Sequence, residues 1–233
     1  ASFNCLGIFA ATASIGFPIR TLKMPDAAAR ILDELSRCHR TVRVGYTFRH
    51  TRWGKALLSG VKGDGPLAPI KIDWSFCAHH YRNDLQNWKR SVSTGGGVVR
   101  FFGIHVIALM AEMGYRSVST SEIVSRFSDE AEYWRAIFSG PNLPEARIHV
   151  DSNSDAEFFS VRAEGLSVSL RDPFEKSTTD SGFDRRVDEL TELCKDFLYG
   201  NERSPSWYPA SVGLWSQAEK VAEHTGRTSH TPD

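Results

Sequence analysis

Three consecutive glycines, Gly95, Gly96 and Gly97, open directly into the apolar run VVRFFGIHVIAL, which carries a further glycine, Gly103, and a single histidine, His105. This stretch constrains the fold more than any other. Glycine is the residue for backbone conformations and close approaches that a Cβ forbids. A run this apolar, with Arg100 as its one charge, suits a helix buried on most of its surface rather than one lying on water. The pattern predicts a buried helix over 99–113, ended by Gly114. A bare triple glycine is weak evidence for a phosphate loop. A tight backbone approach at the entrance to that helix is the stronger reading.

The rest of the chain reads as a mixture of elements. Residues 25–38 form a helix, with Pro25 in its first turn, Asp26 at the positive end of the dipole, and Ala28, Ile31, Leu32 and Leu35 as an apolar stripe. Alternation predicts strands over 42–48 and 70–76, with a short helix over 53–61 between them, closed by the Gly63–Pro66 turn. A loop over 84–90 leads to the glycines. Beyond Gly114 the pattern turns to β: a strand over 117–127, then 146–153, 156–164 and 166–174 as a meander, with Gly165 at a tight turn. Helices over 183–199 and 212–223 follow, then a polar tail. The expected fold is α+β, a mixed and mostly antiparallel sheet with helices on one face. The alternating strands over 146–174 predict that the other face is apolar and seeks a partner.

Composition excludes several classes of function. Lys plus Arg and Asp plus Glu are equal at 28 each, with no long basic run, which gives no sign of nucleic-acid binding. Cys5, Cys38, Cys77 and Cys194 are widely separated, a pattern of reduced thiols in a cytoplasmic protein. No apolar run reaches the ~20 residues that span a bilayer, so no membrane partner is expected.

The glycine–histidine segment resembles the GGG-x-x-x-D-x-G-x-H-x-x-D segment of the glucose–fructose oxidoreductase/inositol dehydrogenase (Gfo/Idh/MocA) family. Gly95, Gly96, Gly97, Gly103 and His105 match, while Phe101 and Ala108 stand at the two aspartates. MPDAAARILDEL is similar to the family helix after its EKP motif, VRVGYTFRH to the strand written VGFxxRF with Arg49 at the arginine, and RRVDELTELCKDFLYG to a late helix. The resemblance implies a substrate and oligomerisation domain over 49–226, preceded by a remnant of a Rossmann-type domain over 1–48 and followed by a polar tail over 227–233. The sequence has no GxGxxG loop, and an ungapped match puts Pro18, Ile19 and Arg20 opposite Glu-Lys-Pro.

By this resemblance His105 is the catalytic candidate, an imidazole able to take a proton from an alcohol as hydride leaves. The loss of cofactor loop, lysine and aspartate predicts a non-catalytic member that binds no NAD or NADP by itself. It would bind a carbohydrate-like ligand or pair with itself or an active paralogous dehydrogenase. The alternative is an NAD(P)-dependent sugar or cyclitol oxidoreductase that is truncated, or whose dinucleotide domain comes from another chain. The candidate ligand-binding residues are Arg49, Tyr81, Arg82, Trp88, Lys89 and His105, aromatic faces and cations suited to sugars or anions. Cys77, His79 and His80 lack a second ligand cluster, so no metal is expected. Phe101, four residues before His105, is expected to share its helix face and desolvate the imidazole.

Overall fold

A computed structural model describes residues 8–9, 25–37, 43–60, 68–127, 129–174, 186–200 and 204–226. In chain order these form β1 (Ile8–Phe9), α1 (Pro25–Arg37), β2 (Arg43–Val44), a 3-10 turn (Phe48–His50), α2 (Arg52–Gly60), β3 (Ile70–Cys77) and the single-turn α3 (His79–Arg82). A π-helical turn (Val99–Gly103) then runs into α4 (Ile104–Met113). Five strands follow, β4 (Ser117–Phe127), β5 (Glu130–Ser139), β6 (Ala146–Asp151), β7 (Asn153–Ala163) and β8 (Leu166–Leu170). The last elements are α5 (Val187–Tyr199), α6 (Tyr208–Lys220) and β9 (Ala222–Gly226).

The main sheet has seven strands in the order β8-β7-β3-β6-β5-β4-β9. The β3–β6 and β4–β9 pairs are parallel and the other four are antiparallel. Strand alternation sorts residues to the two faces. On β3, Ile70, Ile72 and Trp74 turn to the core while Lys71 and Asp73 stand on the other side. Their neighbours follow the register, with Val161 and Phe159 of β7 and Ile148 and Val150 of β6 beside Ile72 and Trp74. Helix α4 lies in the core, every residue from Ile104 to Ala111 being buried. Gly114 ends it in a left-handed conformation (φ 107°), as a C-terminal glycine should. Ile31, Leu35, Val44 and Tyr208 form a smaller second cluster that joins α1 to α6.

Two glycines show what the triple-glycine entrance is for. A Cβ on Gly96 would lie 2.1 Å from the Trp88 carbonyl oxygen, and one on Gly103 would lie 2.9 Å from the Trp134 ring. Both residues let the chain approach a neighbour more closely than any side chain permits, which is the structural reading of the motif.

The structure differs from the sequence expectations in several places. The strand expected over 42–48 is two residues long and gives way to the 3-10 turn. β5 and β9 were not foreseen, and the last helix begins at Tyr208 rather than 212. The open sheet face is polar, not apolar: Lys71, Asp73, Arg135, Arg147, His149 and Arg162 lie on it. Val161, Leu166, Val168 and Leu170 pack into the core instead. The error arose because alternation gives a face its period but not its direction. Among the described residues no helix is long and apolar enough to cross a membrane. The expected tail over 227–233 and the residues set opposite Glu-Lys-Pro, 18–20, lie outside the described residues.

Candidate functional site

His105 is the second residue of α4 and is 8% exposed. Its ring meets Phe48 at 5.5 Å between centroids and the edge of Tyr46 at 6.3 Å. Its Nδ1 is buried with no hydrogen-bond partner among the described residues. Burial pushes the imidazole down to about 4, with a further push from the charge of Arg186. The ring is therefore neutral at pH 7.

Phe101 does not cause that desolvation. The π turn over 99–103 breaks the α-helical register, so a spacing of four no longer brings the two side chains onto one face. Phe101 instead meets Trp88 at 5.7 Å, Phe102 at 4.8 Å and His80 at 6.4 Å, and the Lys89 ammonium lies 5.2 Å from its ring. A carboxylate at position 101 would stand among those groups, away from His105.

The candidate residues divide into two groups. Arg49 shares a neighbourhood with His105: its guanidinium lies 5.8 Å from the Trp207 ring, which packs against Tyr46 at 5.9 Å. Arg49 is also committed to protein carboxylates, Glu112 at 2.8 Å and Asp196 at 3.1 Å. Glu112 lies two helical turns beyond His105. The sequence carried a signal for it, because a lone acid in a buried helix requires a cationic partner. Next to Arg49, His50 is held down to about 4 by burial and by the Arg49 charge. Tyr46 is pushed up by burial, which outweighs its hydrogen bond with Ser211.

Tyr81, Trp88 and Lys89 form the second group, around Phe101 and Arg90. The Arg90 guanidinium lies 4.9 Å over the Tyr81 ring and pairs with Glu130 at 2.8 Å and Asp84 at 2.9 Å. The Tyr81 hydroxyl is buried without a partner among the described residues, and burial pushes its pKa up. His80 is 4% exposed and is held to about 4 by burial, then by Lys89. Arg82 turns away from this group. It pairs with Glu157 and lines a groove of about 280 Å³ with Phe76, Cys77, Arg171 and Asp172. His79 and His80 lie on the short helix α3. No group of three metal-ligating side chains occurs among the described residues.

The glycine amides test the fit of a pyrophosphate directly. Gly95 N–H donates to the Val92 carbonyl, Gly96 N–H to Ser91 and Gly97 N–H to Lys89, at 2.9, 2.7 and 2.8 Å. None of the three is left to cradle an anion, so this loop does not fit a dinucleotide phosphate.

With that geometry in place, comparison with solved structures is informative. GenD2 from gentamicin A biosynthesis, in complex with NAD, superposes at a TM-score of 0.65 with 14% identity, over 85% of this chain and 66% of that one. The WlbA (WbpB) dehydrogenase from Thermus thermophilus, with NAD and UDP-GlcNAcA, gives 0.62 and 14%, over 88% and 63%. A D-galactose-1-dehydrogenase protein from Rhizobium etli gives 0.63 and 9%, over 88% and 67%. The fold is therefore that of Gfo/Idh/MocA-type dehydrogenases, in agreement with the resemblance carried by the glycine–histidine segment. The chain spans 66% and 63% of the length of the first two. No family model matches the sequence, and no curated protein matches it.

Proposed function

We propose that this chain is a non-catalytic protein on a sugar-dehydrogenase fold, which binds a carbohydrate-like ligand and works as an oligomer, with itself or with an active paralogue. The observation that carries this reading is the setting of His105. A general base needs a route for its proton and a partner that sets its charge. His105 is poorly placed for this among the described residues: its Nδ1 is enclosed without a partner, its ring neighbours are aromatic, and the carboxylate nearest along its helix is bound to Arg49. Tyr81, Trp88 and Lys89 supply the aromatic and cationic surface that a sugar would use.

The second reading is an NAD(P)-dependent oxidoreductase acting on a CH–OH group, whose dinucleotide-binding part lies outside this sequence or on another chain. It is favoured by the NAD bound in two of the similar structures. Hydride transfer needs the nicotinamide and substrate carbons in contact.

The readings separate in a direct assay. The purified chain is titrated calorimetrically with NAD and NADP, then incubated with each and a panel of sugars and cyclitols while reduced nicotinamide is followed. The proposal expects no cofactor binding and no turnover, with sugar binding seen in tryptophan fluorescence and weakened by Trp88→Ala. Micromolar cofactor binding by this chain alone would overturn the proposal, and turnover that appears once a dinucleotide-binding domain is supplied and that His105→Ala abolishes would establish the second reading instead.

A further inference from the structure

The open face of the sheet carries a row that the proposed function does not use. Register places Lys71 of β3 directly beside Arg162 of β7 on one side and Arg147 of β6 on the other. Beyond Arg162 the same row reaches Ser167 of β8. Three cations and a hydroxyl thus stand side by side on four adjacent strands. All are hydrogen-bond donors, and all four residues are exposed.

Like charges directly opposite on neighbouring strands destabilise a sheet. The carboxylates nearby offset this row only in part. Asp73, two residues along β3, is engaged mainly by His149 and Ser160 on its own row, and the Arg162 charge acts on it as the weakest of its influences. Glu145 reaches Arg147, but both side chains are about half exposed, a pairing of little strength and easily displaced. No ion pair within 4.0 Å is recorded for Lys71 or Arg162 among the described residues. Lys71 and Arg147 also line an open concavity of about 710 Å³ together with Tyr133, Arg135 and His149 and with the carboxylates Asp73, Glu122 and Glu223, while Arg162 and Ser167 lie outside its lining.

We infer that this row is a binding site for a small oligo-anion, a molecule carrying two or more phosphate-type groups in line. The spacing selects that class over a single carboxylate. Adjacent strands lie ~4.8 Å apart, so three neighbouring cations extend over ~10 Å. One oxyanion reaches at most two of them, whereas a linear chain of anionic groups neutralises all three. Arg supplies paired donors to each oxyanion and Lys a point charge between them. Ser167 adds a neutral donor at one end. The site is on the face opposite α4 and is independent of His105.

Inorganic tripolyphosphate is the probe, titrated calorimetrically into the full chain at low and at physiological salt. Binding should be measurable at low salt and weaken as salt rises. Lys71→Ala should weaken it at least about fivefold, and Lys71→Glu with Arg162→Glu about twentyfold or more. Lys195→Gln, an exposed cation on α5 and away from this row, should leave it unchanged. These positions are exposed, so unaltered circular dichroism and melting temperature should accompany each variant. Absence of binding by the unmodified chain at millimolar probe overturns the inference, and so does binding that the double variant leaves intact. Light scattering supplies a further contradicting result: an unmodified chain that is dimeric, a double variant that is monomeric, and no probe binding by either would assign the row to a second copy of this chain.

Discussion

Strand β3 divides the molecule into two electrostatic worlds. On one side Ile70, Ile72 and Trp74 join α4 in a dry aromatic interior that holds His105 neutral. On the other, Lys71 and Asp73 belong to a mosaic of charges open to water. The two histidines on this division make the point. His105 is enclosed with an unpartnered Nδ1, whereas His149 lies 3.5 Å from Asp73 and holds that carboxyl below its ordinary range. The difference teaches that burial around one histidine and a carboxylate beside the other give the same side chain two different settings. What decides its chemistry is the layer it lies in, not the motif it belongs to.

If the interior is as closely packed as this comparison requires, its variants should dominate the stability scale. Trp134 is fully buried, meets Gly103, and donates to Ser121 at 3.0 Å. Trp134→Ala should cost about 3–5 kcal/mol in urea unfolding. Gly96→Ala should cost about 3 kcal/mol, the upper part of the range for overpacking, because the added Cβ meets backbone that cannot move aside. Arg49→Ala, at the border between interior and solvent, should cost about 1–2 kcal/mol by removing the ion pairs that Arg49 makes with Glu112 and Asp196. Lys71→Ser, on the open face, should fall within about 0.5 kcal/mol of the unmodified chain. A reversed order would break the comparison.

Much of this division was legible in the sequence. The buried helix, its glycine stop, and the strands at 70–76 and 117–127 followed from period and punctuation. The triple glycine was correctly read as a backbone contact. Three things were not legible. The alternation in 130–139 interleaves Glu130, Glu132, Trp134 and Phe138 and was passed over, although Glu132 and Trp134 are both buried. The π turn ends at Gly103, which packs on Trp134, a long-range contact that local spacing cannot report. Arg49 matched a family position, but its engagement with Glu112 and Asp196 joins residues far apart in the chain.

Acid sensitivity follows from the same layer. His50, His80 and His105 are each held to about 4, against an ordinary value of 6.5. Between those values the unfolded chain binds more protons than the folded one, so stability rises with pH there. The neutral-state contribution is fully present above about 6.5 and is lost as pH falls towards 4. His105→Leu should flatten part of that slope.

The central claim is that His105 is a neutral residue whose Nδ1 is enclosed without a partner among the described residues. An NMR titration of its ring, assigned by comparison with His105→Leu, tests it most directly. The account predicts a midpoint near 4 that does not move when sugar ligands are added. A midpoint above 6.5 would contradict it, since only a nearby carboxylate overcoming burial could raise the value so far.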